Sequence, residues 1–476
     1  MSFLRPLRFA WLSLRLSGVP QWPVEHVARL QRRRLRRLVR HAVKHSPFYG
    51  EKYRRVKIQD VDLEHLPPTN KTELMANFDR LVTDGAVRRK DLEQFIHGPG
   101  NLGKYFIGRY AVSHTSGSQG QPMLIVQEPR HLELLFALQT TRGNAAMAGP
   151  VRESLRRWLR PARLAAVSMR PGFYPSAASF AYMPHEVRSY LHLLCLSATQ
   201  PDLVQQLNDF KPTVLTAYAN VLESLVQRAG ELALAPHLEQ IVNNSETLTD
   251  DARRRIEETF GVPVLDNYAL GECTFLSNGC PGQCGAHVNA DWAILEVVDD
   301  AYRPVAAGSP GKKVLVTNLA NGIQPFIRYE VGDQVVMSDR PCGCGSRLPR
   351  IDRIEGRATE EFVVLDGGAC RCVLGSVFKN ACDYLHSVRE WQAVQTERNR
   401  IEVKLELLPG RHLPRLQAEQ VLREKLALFG LPPAVDVTVE LVPTLAPDPA
   451  TGKFNRIVSR VDRPVQTAAE PLAANA

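Results

Sequence analysis

The sequence has no uncharged apolar run of membrane-spanning length. Its first hydrophobic stretch, Phe9-Ala10-Trp11-Leu12-Ser13-Leu14, is short and closed by Arg8 and Arg15. No long apolar segment leads to a small-residue cleavage site, so neither a transmembrane segment nor a secretory leader is expected there. Cysteine is scarce: nine in 476 residues are too few for a disulfide framework, and a cytoplasmic setting is the expectation. No internal repeat is visible. Hydrophobic residues at 44%, charged residues at 23% and a mean hydropathy of −0.20 exclude a mainly disordered, collagenous or membrane-embedded chain. At this length core size is not limiting, and two or three domains are expected.

The net charge of +9 is unevenly placed. Residues 1–57 hold 15 Lys or Arg and two Asp or Glu, a local charge of +13; the remainder carries −4. The pI of about 9.1 therefore belongs to one arm, centred on Arg32-Arg33-Arg34-Leu35-Arg36-Arg37. A patch for nucleic acid or an anionic membrane is one reading. The other is a solvated helix face above an apolar stripe of Val27, Leu30, Leu35, Leu38, Val39 and Ala42. Without aromatic interleaving the second is preferred, and no nucleic-acid partner is expected.

Helix is expected to about His45, then turns at Ser46-Pro47-Phe48-Tyr49 and Leu66-Pro67-Pro68-Thr69. Between Val112 and Val336 short apolar strands (Leu124–Val126, Val214–Thr216, Val262–Leu265, Ile294–Val298, Val314–Thr317) alternate with helical stretches such as His131–Met147 and Asp250–Phe260. That alternation predicts an α/β layered core. Thr249 is placed to cap the second of these helices. Past Gly356-Arg357 the texture changes to strands at Glu361–Leu365, Glu390–Thr396, Ile401–Leu407 and Val435–Val442, with a helix over Leu413–Leu428. The fold class is thus α/β: a large layered N-terminal domain over residues 1–356, with a basic helical segment at 1–60, then a small α+β domain over 357–465. An Ala- and Pro-rich tail at 466–476 is expected to be disordered.

Ser113-His114-Thr115-Ser116-Gly117-Ser118-Gln119-Gly120-Gln121-Pro122 runs into the apolar stretch Met123–Val126. Glycine and small hydroxyl residues let backbone N–H groups approach an anion closely, as gripping a triphosphate requires. The loop lacks the Gly-Lys-Ser/Thr ending of a Walker A motif. Further along the chain come Ile241–Glu246, Asp266-Asn267-Tyr268-Ala269-Leu270-Gly271-Glu272, Phe326-Ile327-Arg328-Tyr329-Glu330-Val331-Gly332-Asp333, Gly356-Arg357 and Thr451-Gly452-Lys453. In this order the segments resemble the adenylate-forming (AMP-producing) ligase superfamily, and within it the phenylacetate–CoA ligase-like branch that includes coenzyme F390 synthetase and CapK-type proteins. The resemblance spans about residues 25–462.

That resemblance implies a large adenylation domain and a small mobile C-terminal domain that activate a small carboxylic acid with ATP. The acyl-adenylate then passes its acyl group to a thiol, most simply CoA; transfer to an amine or to a carrier-protein thiol is the alternative. It implies that Thr115, Ser116, Gly117, Ser118 and Gly120 cradle the β- and γ-phosphates, with Ser245 also at the nucleotide. Glu272 matches the acid that holds Mg²⁺, Tyr268 the ring beside adenine, and Asp333 the acid that accepts both ribose hydroxyls. Lys453 matches the lysine that bridges carboxylate and α-phosphate, and Arg357 sits just before the hinge. Tyr218 is a candidate wall of the acyl pocket. Four positions depart from the family pattern: Ala269 follows the tyrosine where glycine is usual, Gly271 stands for a threonine, Gln119 for a hydroxyl residue and Thr359 for the hinge aspartate. Oligomeric state, a homodimer included, is left open.

Six of the nine cysteines fall in Cys280/Cys284, Cys342/Cys344 and Cys370/Cys372. Two ligand-bearing turns with a structured insert between them fit a structural zinc site of thiolates plus one imidazole. The expected tetrad is Cys280, His287, Cys342 and Cys344, with Cys284 in reserve. Reduced thiols, with His287 satisfied by a backbone carbonyl, are the plain alternative. Cys370 and Cys372 read as strand-edge thiols, Cys195 and Cys382 as core residues.

Overall fold

The computed structural model describes residues 4–57, 62–98, 100–115, 122–143, 162–168, 172–183, 185–198, 200–244, 248, 250–282, 284–357, 361–382, 384–428, 431–446 and 454–461. The chain divides into two compact units, Met1–Glu355 and Gly356–Ala476.

The first unit opens with helices α1 (Leu4–Ser17) and α2 (Val24–His45). Along α2, Val27, Leu35, Leu38, Val39 and Ala42 are buried at three- and four-residue spacing, which is why an arginine-rich segment still folds as a packed helix. Leu35, Leu38, Val39 and Ala42 share one core with Phe326, Ile327 and Tyr329, so the basic arm walls the segment that bears the Phe326–Asp333 motif. Polar contacts tie the arm down as well. Buried Arg142 donates to Asn289 Oδ1 (2.9 Å), to Asp291 Oδ1 (2.7 Å) and to the Leu16 carbonyl at the end of α1. Arg34 lies across the Trp292 ring, 3.3 Å from its centroid, and donates to the Asp291 carbonyl.

Ser46-Pro47-Phe48-Tyr49 is not a turn. It starts α3 (Pro47–Lys52): Ser46 Oγ accepts from Tyr49 N, and Pro47 occupies the first helical position, where its missing N–H is no loss.

Strands β1 (Ala111–His114) and β2 (Leu124–Gln127) pair antiparallel. They are followed by β3 (Leu164–Ser168), β4 (Leu194–Ser197), β5 (Val214–Ala217), β6 (Gln240–Asn244) and β7 (Val264–Asn267). These five form one parallel sheet in the order β4-β3-β5-β6-β7. Helices Leu203–Phe210, Ala219–Gln227 and Asp250–Phe260 connect successive strands, and Leu207, Leu222 and Ile256 fill the core beneath Ala165, Leu215 and Ile241. Cys195 in β4 is exposed, against the expectation of a core thiol, because β4 is the edge of this sheet; Cys382 is buried. Thr249 lies outside the described residues.

Then come β8 (Ser277–Gly279), β9 (Ala286–Val288), β10 (Ala293–Val298), β11 (Lys313–Asn318), β12 (Tyr329–Val331), β13 (Asp333–Met337) and β14 (Arg350–Arg357). They make a three-stranded sheet, β10-β11-β12, and a four-stranded one, β13-β14-β9-β8.

The second unit has its own core. Strands β15 (Glu361–Asp366) and β16 (Ala369–Leu374) form a hairpin. Strands β17 (Val388–Glu397), β18 (Arg400–Leu407), β19 (Asp436–Val442) and β20 (Ile457–Ser459) form a sheet ordered β19-β18-β17-β20. Ile401, Val403 and Leu405 alternate along β18 into a core shared with Leu422 and Leu426 of the helix Arg415–Leu428. Residues 466–476 lie outside the described part of the chain. Among the described residues no helix is long and apolar enough to cross a membrane.

Candidate functional site

In an open parallel sheet the crevice lies beyond the carboxyl ends of the strands, where the strand order reverses. Here β3 connects outward to β4 and the chain returns to place β5 on the other side of β3. Tyr218 directly follows β5 and Tyr268 directly follows β7. A ladder of short polar side chains binds these ends together: Asn244 Nδ2 donates to Thr216 Oγ1, and Asn267 Nδ2 donates to Asn244 Oδ1 (3.1 Å). The hydroxyl of half-buried Tyr218 is hydrogen-bonded to Ser176 Oγ. Ser245, the next residue after β6, lies outside the described residues.

The connection between β1 and β2 reaches the same region. Thr115 N donates to the Met123 carbonyl (2.9 Å), and Met123 N donates to Thr115 Oγ1 (3.0 Å), so the threonine ties the base of the loop. Ser116, Gly117, Ser118, Gln119 and Gly120 lie outside the described residues. A Cβ on Gly271 would stand 2.9 Å from Ile125 Cδ1 and 3.0 Å from Thr115 Cγ2. The turn before Glu272 thus presses directly against the start of the loop. This close approach favours glycine at position 271: a Cβ there requires the Ile125 and Thr115 side chains to give way. Gly271→Thr is expected to destabilise the protein by about 1–3 kcal/mol through overpacking, read as a lower melting temperature.

Glu272 is 7% exposed. Its Oε1 accepts from the Tyr329 hydroxyl (2.9 Å), and its backbone carbonyl accepts from Asn318 Nδ2 (2.8 Å). Tyr268 and Asp333, 65 residues apart, meet directly, with the Tyr268 hydroxyl donating to Asp333 Oδ2 (2.8 Å). Both are buried. The Phe326–Asp333 segment is anchored by Arg328, whose backbone takes a left-handed φ of 46°. Its guanidinium is held by Glu296 (2.9 Å) and by the Leu66 carbonyl (2.8 Å), and its N–H donates to Thr317 Oγ1 (2.9 Å). Arg357 ends β14, but its side chain is outside the described part, as is Lys453.

A second cluster lies beside the four-stranded sheet. Cys280 follows β8, His287 lies in β9, and Cys342 and Cys344 sit between β13 and β14. The turn from β8 to β9 closes tightly: Cys280 N donates to the Gly285 carbonyl, and Gly285, at φ 93°, packs so near β14 that a Cβ would stand 2.0 Å from the Ile351 carbonyl oxygen. One ligand-type atom from each of Cys280, His287, Cys342 and Cys344 lies within 4.8 Å of all the others. His287 Nδ1 donates to the Leu348 carbonyl (3.2 Å), which leaves Nε2 facing Cys344 Sγ at 3.3 Å. Such an outer hydrogen bond fixes the tautomer of a metal-binding imidazole. Cys284 Sγ stands 3.2 Å from Cys280 Sγ and 3.1 Å from Cys342 Sγ. Burial pushes the Cys280 and Cys344 thiols up. Burial acts the same way on Cys342, but the Cys344 backbone N–H and the surrounding thiols outweigh it and bring that thiol down. A set of soft sulfur donors plus one imidazole suits zinc.

No protein-family profile matches the chain. The phenylacetate-coenzyme A ligase of Thermus thermophilus is 24% identical over 360 residues, covering 72% of this chain and 73% of that protein. CapK of Staphylococcus aureus is 28% identical over 182 residues, covering 35% of this chain and 37% of that protein. Among solved structures, 2-hydroxyisobutyryl-CoA ligase in its postadenylation state superposes with a TM-score of 0.68 at 21% identity, over 93% of this chain and 91% of that one. The chain is thus similar in sequence to phenylacetate-coenzyme A ligases and to CapK, and it shares the fold of a solved 2-hydroxyisobutyryl-CoA ligase.

The motif pattern does not single out Tyr329 and Asn318, the two residues that hold Glu272. Tyr329 is in plain view, inside the Phe326–Asp333 motif and two strand repeats before Asp333. Asn318 carries no local signal. It ends β11 as one of several polar residues there, and only the pairing of β11 with β10 and β12 brings it under the Glu272 turn.

Proposed function

We propose that the protein is an AMP-forming acid–thiol ligase with CoA as acceptor. In the first step a carboxylate oxygen attacks the α-phosphorus of ATP, pyrophosphate leaves and an acyl-adenylate forms. In the second, the thiol of CoA attacks the acyl carbon, AMP leaves with the bonding electron pair, and the thiol proton goes to solvent. The observation that carries this reading is the convergence of Thr115, Glu272, Tyr268 and Asp333, drawn from distant segments, at the carboxyl edge of the parallel sheet. The chemistry asks for aligned donors and compensating charge where two anions meet.

Thr115, Glu272, Tyr268 and Asp333 take parts consistent with their surroundings. The Thr115–Gly120 loop, with Ser245, lies against the phosphates. Glu272 is the ligand for Mg²⁺, a hard cation suited to a carboxylate oxygen, and Tyr329 orients it by taking up Oε1. Asp333 accepts from the ribose hydroxyls, with its carboxylate set in place by Tyr268, whose ring lies beside the base. Lys453 carries the ammonium that bridges the two reacting anions, Arg357 sits at the hinge, and Tyr218 borders the acyl group. Cys280, His287, Cys342 and Cys344 hold a structural zinc, a closed sulfur-rich set with no position left for substrate.

ATP–pyrophosphate exchange across a panel of aryl and alkyl acids tests the first step, and CoA-dependent AMP release tests the second. Exchange with AMP release indifferent to CoA would redirect the acceptor to an amine or a carrier-protein thiol. No exchange with any acid would reject the reading. Glu272→Gln is expected to lower exchange about 100-fold, and Tyr329→Phe about tenfold with a raised Mg²⁺ requirement, since outer partners of a metal ligand typically contribute about 10–100-fold. An unchanged Mg²⁺ dependence in Tyr329→Phe would remove the orienting role.

A further inference from the structure

The outer face of α2 carries none of the residues assigned above to acid activation. Of its seven arginines, Arg34 turns inward onto Trp292. The other six, Arg29, Arg32, Arg33, Arg36, Arg37 and Arg40, follow one another at alternating three- and one-residue steps and so occupy a single helix face. They span about 16 Å of helix at about 1.5 Å per residue. All six are exposed, and together they line a shallow groove of about 440 Å³. Among the described residues none of the six is paired with a carboxylate, and Glu25 is the sole acid in α2. A solvated helix ordinarily sets acids four residues from its bases, so six uncompensated charges on one face are held there against their own repulsion.

Beside this stripe lies an apolar counterpart. Trp11 and Leu14, three residues apart on α1, are 59% and 75% exposed. Trp11 and Arg37 line the same cleft, and Arg37 also lines the arginine groove, so the exposed ring and the stripe are contiguous. The Arg15 guanidinium stands 5.5 Å from the centre of the Trp11 ring.

We propose that the α1–α2 face docks this protein on an anionic lipid bilayer. The arginines engage phosphate head groups while Trp11 and Leu14 enter the interfacial layer, the arrangement expected of a surface-bound rather than a spanning element. Charge complementarity alone fits nucleic acid equally. The aliphatic Leu14, with no base or phosphate to meet, favours a lipid surface.

The experiment is co-sedimentation of the full-length protein with phosphatidylcholine vesicles, with and without a third of phosphatidylglycerol. Binding is expected to be at least about tenfold tighter on the anionic vesicles and to fall steeply between about 0.1 and 0.5 M salt. Arg32→Glu/Arg33→Glu/Arg36→Glu is expected to lose at least about tenfold. Its Gln counterpart, free of charge reversal, should lose less but in the same direction, with circular dichroism reporting the fold of both. Trp11→Ser/Leu14→Ser should lose several-fold on the same vesicles with an unchanged salt dependence. Equal binding to both vesicle types, retention of binding by the folded arginine variants, or parent-like binding by Trp11→Ser/Leu14→Ser overturns the proposal. So does capture of duplex DNA by the stripe without vesicle binding.

Discussion

Lys453→Ala is expected to reduce ATP–pyrophosphate exchange by at least about 1,000-fold while leaving transfer from a supplied acyl-adenylate to CoA within a few-fold of the parent. The asymmetry follows from charge. In adenylation a carboxylate approaches an α-phosphate, both negative, and an ammonium aimed at the oxygens where charge accumulates supplies several kcal/mol of differential stabilisation, about 10²–10³ per well-placed donor. In the second half-reaction the carboxylate has gone, and that ammonium has no anion pair to bridge. Lys453→Arg should be nearly as inactive in exchange, because a planar guanidinium fork does not place its charge where a compact ammonium does. Equal loss of both half-reactions in a folded Lys453→Ala protein would remove the assigned role.

Purified protein is expected to carry close to one zinc per chain by elemental analysis. Stripping it should lower the melting temperature by roughly 10 °C, since a closed thiolate site adds several kcal/mol of folding free energy. His287→Ala and Cys344→Ser should lose the metal, whereas Cys284→Ser should keep it. The reason is the Leu348 carbonyl: with Nδ1 donating to it, the imidazole has only Nε2 to offer, and that atom already faces the sulfurs. The opposite pattern, metal lost with Cys284→Ser and kept with His287→Ala, would make the set four sulfurs. A stable protein with no metal would leave reduced thiols. Because burial keeps the Cys280 and Cys344 thiols protonated, zinc uptake should also release protons, measurable by pH-stat.

The two-residue and 3.6-residue periods in the chain are enough to locate most elements. Strand Lys313–Asn318 contains the expected Val314–Thr317, and Arg400–Leu407 contains Ile401–Leu407; helix Asp250–Phe260 has the expected bounds. Burial of one face writes itself directly into residue order, so such elements are legible without a fold. Ser46–Tyr49 misleads because Ser-Pro serves both as a turn opener and as a cap with proline in the first turn. The residues after the proline decide between the two, and here Phe48 and Tyr49 pack into a core whose nearest strands lie far along the chain.

The sequence by itself determined the order of the motifs, the residue types able to carry the chemistry, and the sulfur and imidazole donors of the cluster. Those are properties of composition and spacing. Tertiary structure alone decided that Tyr268 meets Asp333, that Tyr329 and Asn318 hold Glu272, that position 271 packs closely against Ile125 and Thr115, and that one arginine of α2 turns inward while six face out. Each is a contact between segments tens to hundreds of residues apart. Such contacts are set by which strands pair and how closely their turns pack, and no local pattern of residues encodes them.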